Sequence, residues 1–357
     1  MVEEDLPEVV RHETKLKKPT WGKTSFVISL LILLLVAAFF ISSTLGRYDI
    51  SLQDLFIIIR NKLFGLPATW PKTFETVLFN VRIPRILIAM MVGAALSTAG
   101  AAYQGLFRNP VVSPDILGAS AGAGFGAALA ILFSLSSVGI EVSAFLFGLG
   151  AVALSYFLSV TISRGKDVVL ILVLTGMVVS NLFSAFISIA KYVADPENKL
   201  PAITFWLLGG LSASNSTQAV VLLIPLLIGT VPLFLLRYKL NVLSFGDEEA
   251  QAMGVDTRKV RLIIIICATL LTTTAVSVCG MVGWVGLIIP HIARLLVGPN
   301  YKVLLPVSFL VGSTFLLLVD DLARSLFVTE IPLGILTSFF GAPFFLYLLV
   351  KGKKAWL

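Results

Sequence analysis

Charge is what this sequence has least of. Of its 357 residues, 13% are Asp, Glu, Lys or Arg, against about 25% in soluble globular chains. A water-soluble fold of this length still exposes roughly a quarter of the surface its unfolded chain would show. Twenty-seven basic and 20 acidic side chains are too few to cover that surface. An ordinary soluble enzyme is therefore excluded, and a membrane-embedded chain is expected. Cysteine and histidine are scarcer still. Cys267 and Cys279 stand twelve positions apart in one apolar segment, too far along a helix to bond to each other. His12 and His291 are isolated, so no disulfide framework and no His/Cys metal centre is expected. There is no HExxH pair. The nearest approach to a phosphate loop, Gly165-Lys166-Asp167, lacks the upstream glycine spacing and the magnesium-binding Ser or Thr. No catalytic residue, bound cofactor or ATP hydrolysis is expected of this chain. The formal charge of +7 lies in short blocks between uncharged runs, without the interleaved aromatics of a nucleic-acid surface.

What is present in abundance is long uncharged runs. A helix crossing the hydrocarbon of a bilayer needs about 20 residues, because irregular backbone would leave amides unpaired in lipid. Candidate spans are Thr24–Leu45, Ile86–Phe107, Ile116–Ile140, Val142–Ser163 and Val168–Ala190. The run from Leu200 to Leu236 is too long for one crossing. Gly209, Gly210 and the Ser/Asn cluster after them divide it, leaving a sixth span over about Thr217–Leu236. Gly280, Gly283 and Gly286 likewise divide the next run into a span ending near Cys279 and a shorter one from about Trp284 to Val297. Val303–Asp320 and Pro332–Val350 complete ten. The expected fold class is thus an all-α polytopic membrane protein with ten transmembrane helices.

Ten crossings put both termini on one side. The basic clusters Lys15, Lys17, Lys18 and Lys23 at one end and Lys351, Lys353 and Lys354 at the other place that side in the cytoplasm. The expected organisation is a cytoplasmic tail over 1–23, a membrane domain over 24–350 with an outer loop at 44–85, and a cytoplasmic tail over 351–357. The outer loop breaks the positive-inside pattern, carrying six basic residues against three acids. A long translocated loop obeys that rule poorly; an acidic partner outside is the sharper explanation. Arg82, Arg85 and Arg324 all approach that face.

On the inner side, Gly246-Asp247-Glu248-Glu249 opens a short helix with acids at its amino end. Gly254 can stop it, and Asp256-Thr257 can cap the next helix. The position suits a lever moved by another protein, with Ala250, Met253 and Val255 meeting that partner. Gly93, Gly100, Gly118 and Gly122, with Gln104, mark seams where helices approach closely, serving either packing or a solute pathway. The spans hold few charges, which argues against an ion-coupled carrier.

Several ordered stretches carry a resemblance: Arg82–Arg85, Gly93–Gly100, Tyr103-Gln104, Arg108-Asn109-Pro110, Ser113–Gly118 and Trp206–Gly210. Leu240–Gly246, Gly283–Arg294 around Pro290-His291, Asp320–Arg324 and Glu330–Gly334 continue it. The chain resembles the permease subunits of ABC importers for iron siderophores, haem and cobalamin, the FecCD/BtuC-like family, from the first span to Val350. The resemblance implies the type II ABC importer permease fold in the cell membrane. It implies a second copy of the chain, two ATPase subunits using MgATP and an extracytoplasmic solute-binding protein. Arg82, Arg85 and Arg324 would then receive glutamates of the binding protein. The segment 240–256 would form coupling helices, with Leu240, Gly246, Asp247, Glu248, Glu249 and Gly254 at the ATPase contact. Arg108, Asn109, Pro110, Pro290, His291 and Arg294 would fix helix ends and loops. The expected cargo is a ferric siderophore. Cobalamin, haem, molybdate or tungstate are the alternatives within the family, and an ion-coupled carrier lies outside it. The tail before Trp21 and the loop Lys62–Thr73 exceed the family core.

Overall fold

The computed structural model of the chain describes residues 21–46, 48, 50–67, 70–163 and 168–351. The expected cytoplasmic tails and the Gly165-Lys166-Asp167 stretch fall wholly or mainly outside these residues. Among the described residues the ordered backbone is helical and holds no strand. In chain order the helices are α1 (Trp21–Thr44), α2 (Leu52–Phe64), α3 (Lys72–Thr76), α4 (Ile83–Leu106), α5 (Ala119–Leu132), α6 (Ser137–Ser163), α7 (Val168–Val193) and α8 (Lys199–Leu208). Then come α9 (Ser216–Leu235), α10 (Arg237–Leu243), α11 (Asp247–Ala252), α12 (Thr257–Cys279), α13 (Val285–Val297), α14 (Tyr301–Ser325) and α15 (Leu333–Lys351). A π-helical stretch, Val77–Arg82, joins α3 to α4, and a 3-10 turn, Pro114–Leu117, precedes α5.

Seven described helices are long and apolar enough to cross a bilayer: α1, the continuous Lys72–Leu106 helix, α6, α7, α9, α12 and α14. Four shorter apolar helices, α5, α8, α13 and α15, lie between and after them. This is a multi-pass membrane protein. The sequence reading of 116–140 as one span differs from the structure, where α5 stops at Leu132 and Ser134 takes a positive φ before α6 begins. An uncharged run carries no mark of such a turn, so run length overstated the helix.

The apolar core follows one axis. In the membrane-spanning window of α4, 83% of residues are buried, whereas in α1 the share is 6%. α4 is therefore the central post and α1 lies at the periphery, facing the surroundings of the bundle. Glycines set how closely the post is approached. A Cβ at Gly93 would stand 2.2 Å from the Gly312 carbonyl oxygen of α14, and one at Gly100 would stand 1.8 Å from that of Gly286 in α13. A Cβ at Gly122 would come within 2.5 Å of the Phe147 carbonyl oxygen, so α5 and α6 meet on the same terms. Small residues let helix backbones touch where lipid offers no hydrophobic force to press them together.

Candidate functional site

The two ends of the bundle hold most of the chemistry. At the end where α1 stops and α4 begins, α1 has carbonyl groups without helical partners. Two arginines from distant parts of the chain supply donors. Arg82 Nη1 donates to the carbonyls of Ser43 (2.9 Å) and Thr44 (3.1 Å) and Arg82 Nη2 to that of Tyr48. Arg324 donates through Nη1 to the Leu45 carbonyl (2.8 Å) and through Nη2 to that of Ser42 (2.7 Å). A cation at a helix carboxyl end also opposes the helix dipole. Arg85 completes the cluster with bonds of 2.9–3.1 Å to Asp320, and it shares Glu330 through Nη1 (2.8 Å) and Nη2 (3.0 Å). Arg324 pairs with Asp321 at 2.5 Å, and the Ser42 hydroxyl donates to the same Asp321 oxygen. Asp320 is fully buried and the three arginines nearly so.

The arginines expected to point toward a docking partner are thus turned inward in this conformation. The reason is electrostatic. Asp320 and Asp321 are buried beside Arg85 and Arg324, and a buried carboxylate left unpaired is far costlier than an exposed arginine is beneficial. Sequence reasoning placed Asp320 and Asp321 in a motif without seeing them as the partners. Glu330, whose side chain is 37% exposed, is the one acid of the cluster that also reaches solvent. A cavity of 440 Å³ opens beside Arg85 and Glu330 and is also lined by Glu141, Trp206 and Gln218.

At the opposite end, α11 forms as the sequence implied. Gly246, at φ +133°, and Gly254, at φ +78°, bound it, and its first turn carries Asp247, Glu248 and Glu249. The Asp256 side chain caps α12 by accepting from the Lys259 backbone N–H at 3.1 Å. That bond holds the Asp256 carboxyl below the usual carboxylate range. α11 and the preceding α10 are bolted to their neighbours. Asp247 pairs with Arg261 of α12 at 2.6 Å. Asn241 accepts from the Tyr301 backbone N–H (2.8 Å) and donates to Asn300 (2.9 Å), at the start of α14.

Leu240 is fully buried, as is Ala250, and Val255 is nearly so; all three belong to the main core. Of the apolar residues expected to meet a partner, Ala250 and Val255 are therefore anchors, and Met253 alone is exposed. Phe245, at 67% exposed, is the apolar residue here that sequence reasoning missed. It lies between a serine and a glycine, and nothing in the pattern marked it. Glu248, Glu249 and Gly254 are exposed. Beside them lies a cavity of 970 Å³, walled by α11, the corner around Arg108 and Asn109, and the facing ends of α6 and α7.

The remaining residues singled out in the sequence hold corners. Arg108 takes φ +50°, and the Asn109 side chain accepts from the Val111 backbone N–H at 3.0 Å, fixing the turn at Pro110. Gln104, buried in α4, donates to the Leu287 carbonyl (3.2 Å) and accepts from Arg294 (3.0 Å), so α4 and α13 are pinned together. Gly118 turns at φ +89° into α5. Pro290 and His291 lie within α13, His291 partly buried. Among the described residues no group of three or more His, Cys, Asp or Glu could hold a metal.

The profile of the FecCD transport family matches residues 33–351. The molybdate import system permease protein MolB of Haemophilus influenzae is 43% identical over 91% of this chain and 95% of its own. The iron(3+)-hydroxamate import system permease protein FhuB of Bacillus subtilis is 34% identical over 94% of this chain and 85% of its own. A solved structure of a putative metal-chelate type ABC transporter in an inward-facing conformation superposes with a TM-score of 0.82. It is 42% identical and covers 92% of this chain and 99% of that one.

Proposed function

The chain belongs to the FecCD transport family of metal-chelate ABC importer permeases, and from that premise we propose that it forms half of a central pathway that separate ATPase subunits open and close. It is a transport subunit and not an enzyme, and its family works with ATPase subunits and a solute-binding protein. In the proposed arrangement two copies pair, ten helices of each cross the membrane, and both termini lie in the cytoplasm. α5, α13 and α15 supply the three crossings beyond the seven long helices.

The observation that carries this reading is the asymmetry of the two ends. α11 and its flanks present Phe245, Glu248 and Glu249 around an open cavity and expose Met253, while Asp247, Asn241 and buried Leu240 tie them to α12 and α14. A push on the exposed side is therefore passed to two long helices without a soft joint, as a lever requires. The ATPase is the proposed occupant of this inner surface. The binding protein is proposed to dock at the opposite end, where Arg82, Arg85 and Arg324 hold the platform and the Arg85–Glu330 pair lies nearest to an arriving carboxylate. Charges at such a rim mainly steer and orient docking.

The cargo is proposed to be a metal-containing anion. Molybdate is favoured by the 43% identity to the Haemophilus permease, and a ferric siderophore, the expectation from sequence, by the likeness to the hydroxamate permease. The experiment is metal uptake by cells with and without this gene, measured as total molybdenum, tungsten and iron under limitation for each. A selective fall in molybdenum supports the first cargo and a selective fall in iron the second. Unchanged content of all three contradicts both.

A further inference from the structure

The connection between α1 and α4 carries an apolar surface that the bundle does not use. On one side, α2 buries Leu55 and Ile58, which join Ile50 and Leu78 in a small core separate from the main one. Its other side should be polar if it met only water. Instead Leu52, Phe56 and Leu63, which share a face at helical spacing, are 50%, 56% and 76% exposed, and Phe64 comes next at 70%. Exposed apolar strips rimmed by polar groups mark interaction surfaces.

Two further observations indicate the occupant of the strip. Phe56 stacks on Phe40 of α1 with ring centroids 5.6 Å apart and planes at 26°. α1 is the spanning helix with only 6% of its window buried, so the strip continues a surface already turned toward lipid, at the level where α1 ends. The flanks of the strip are basic and exposed, with Arg60 on one side and Lys62, paired with Glu75, on the other. A long basic side chain beside an apolar helix face can lay its stem on that face and reach lipid phosphates.

We propose that α2 is an interfacial membrane anchor, lying in the headgroup layer with Leu52, Phe56 and Leu63 among the acyl chains and Arg60 against lipid phosphates. The chain beyond α2 returns through α3 to the arginine cluster, so this anchor fixes the depth of the end of α1 that Arg82 and Arg324 hold. The occupant is lipid and not protein, because the strip continues the outward-turned surface of α1 through the Phe40–Phe56 stack.

The test uses the full chain in nanodiscs of phosphatidylethanolamine and phosphatidylglycerol, with single spin-labelled cysteines at Gln53, Phe56 or Leu63. Native Cys267 and Cys279 are buried, and the unsubstituted chain controls for their labelling. The oxygen-to-nickel accessibility ratio is expected to be several-fold higher at Phe56 and Leu63 than at Gln53, a polar position off the strip. Adding Arg60→Glu is expected to lower the ratio at Leu63 toward that of Gln53. Equal nickel access at Leu63 and Gln53 would overturn the anchor. So would protection of Leu63 that arises only when the binding protein is added, which would assign the strip to a protein. All three labelled positions are exposed, and the decisive pair, Leu63 and Gln53, leaves the Phe40–Phe56 stack intact.

Discussion

At one end of the bundle Arg85, Arg324, Asp320, Asp321 and Glu330 pair with one another inside the chain, while at the other Glu248 and Glu249 stand at the edge of an open cavity. The first end uses its charges to hold three helices together. The second keeps them available. A machine driven from outside needs that division, because force applied at a surface that yields by itself is lost before it reaches the pathway.

The comparison breaks most severely if the closed end is opened. Asp320→Ala leaves Arg85 with only Glu330 and removes a fully buried carboxylate, so a loss of about 3–5 kcal/mol is expected, read as a fall in melting temperature in nanodiscs. A change within error would mean that the cluster does not hold the end together. Gly100→Ala tests the central seam. Its Cβ would fall 1.8 Å from a backbone oxygen that cannot turn aside, and overpacking of this kind costs about 1–3 kcal/mol or more. Wild-type stability would show that α4 and α13 can part.

At the open end the effect should pass from stability to coupling. Glu248→Lys with Glu249→Lys is expected to change stability by no more than about 0.5 kcal/mol while lowering ATP-driven transport by roughly tenfold, about 1.4 kcal/mol. Equal transport would remove α11 from the ATPase contact. The smallest effect is expected at Asp256. Its bond from Lys259 holds the folded-state carboxyl low, so its stabilisation is complete above the unfolded value near pH ~3.9. That contribution is lost as pH falls through the lower folded value. Asp256→Ala should reduce stability slightly at neutral pH and narrow its difference from the parent below about pH 4. A difference that grows on acidification would contradict the sign.

Sequence revealed these regions unequally, for physical reasons. Gly280, at φ +71°, announced the break between α12 and α13, and Gly246, Gly254 and Asp256 announced the bounds of α11, because backbone conformation at those positions depends on residue type. The inward turn of Arg82, Arg85 and Arg324 was invisible. Their partners are carbonyls of residues 42–48 and carboxylates that, for Arg85, lie more than 200 positions away, and a charge count cannot say whether an arginine faces a partner protein or its own chain. Ala250 and Val255 read as outward-facing in the sequence because short apolar residues beside acids fit an interface as well as a core. Only packing decides between them.

The most direct test of the whole account is transport by the purified chain in liposomes, with molybdate or ferric hydroxamate supplied on the side of the binding protein. The account predicts ATP-dependent uptake only when the ATPase subunits and the binding protein are both present. Uptake driven by an ion gradient through the chain alone would contradict it.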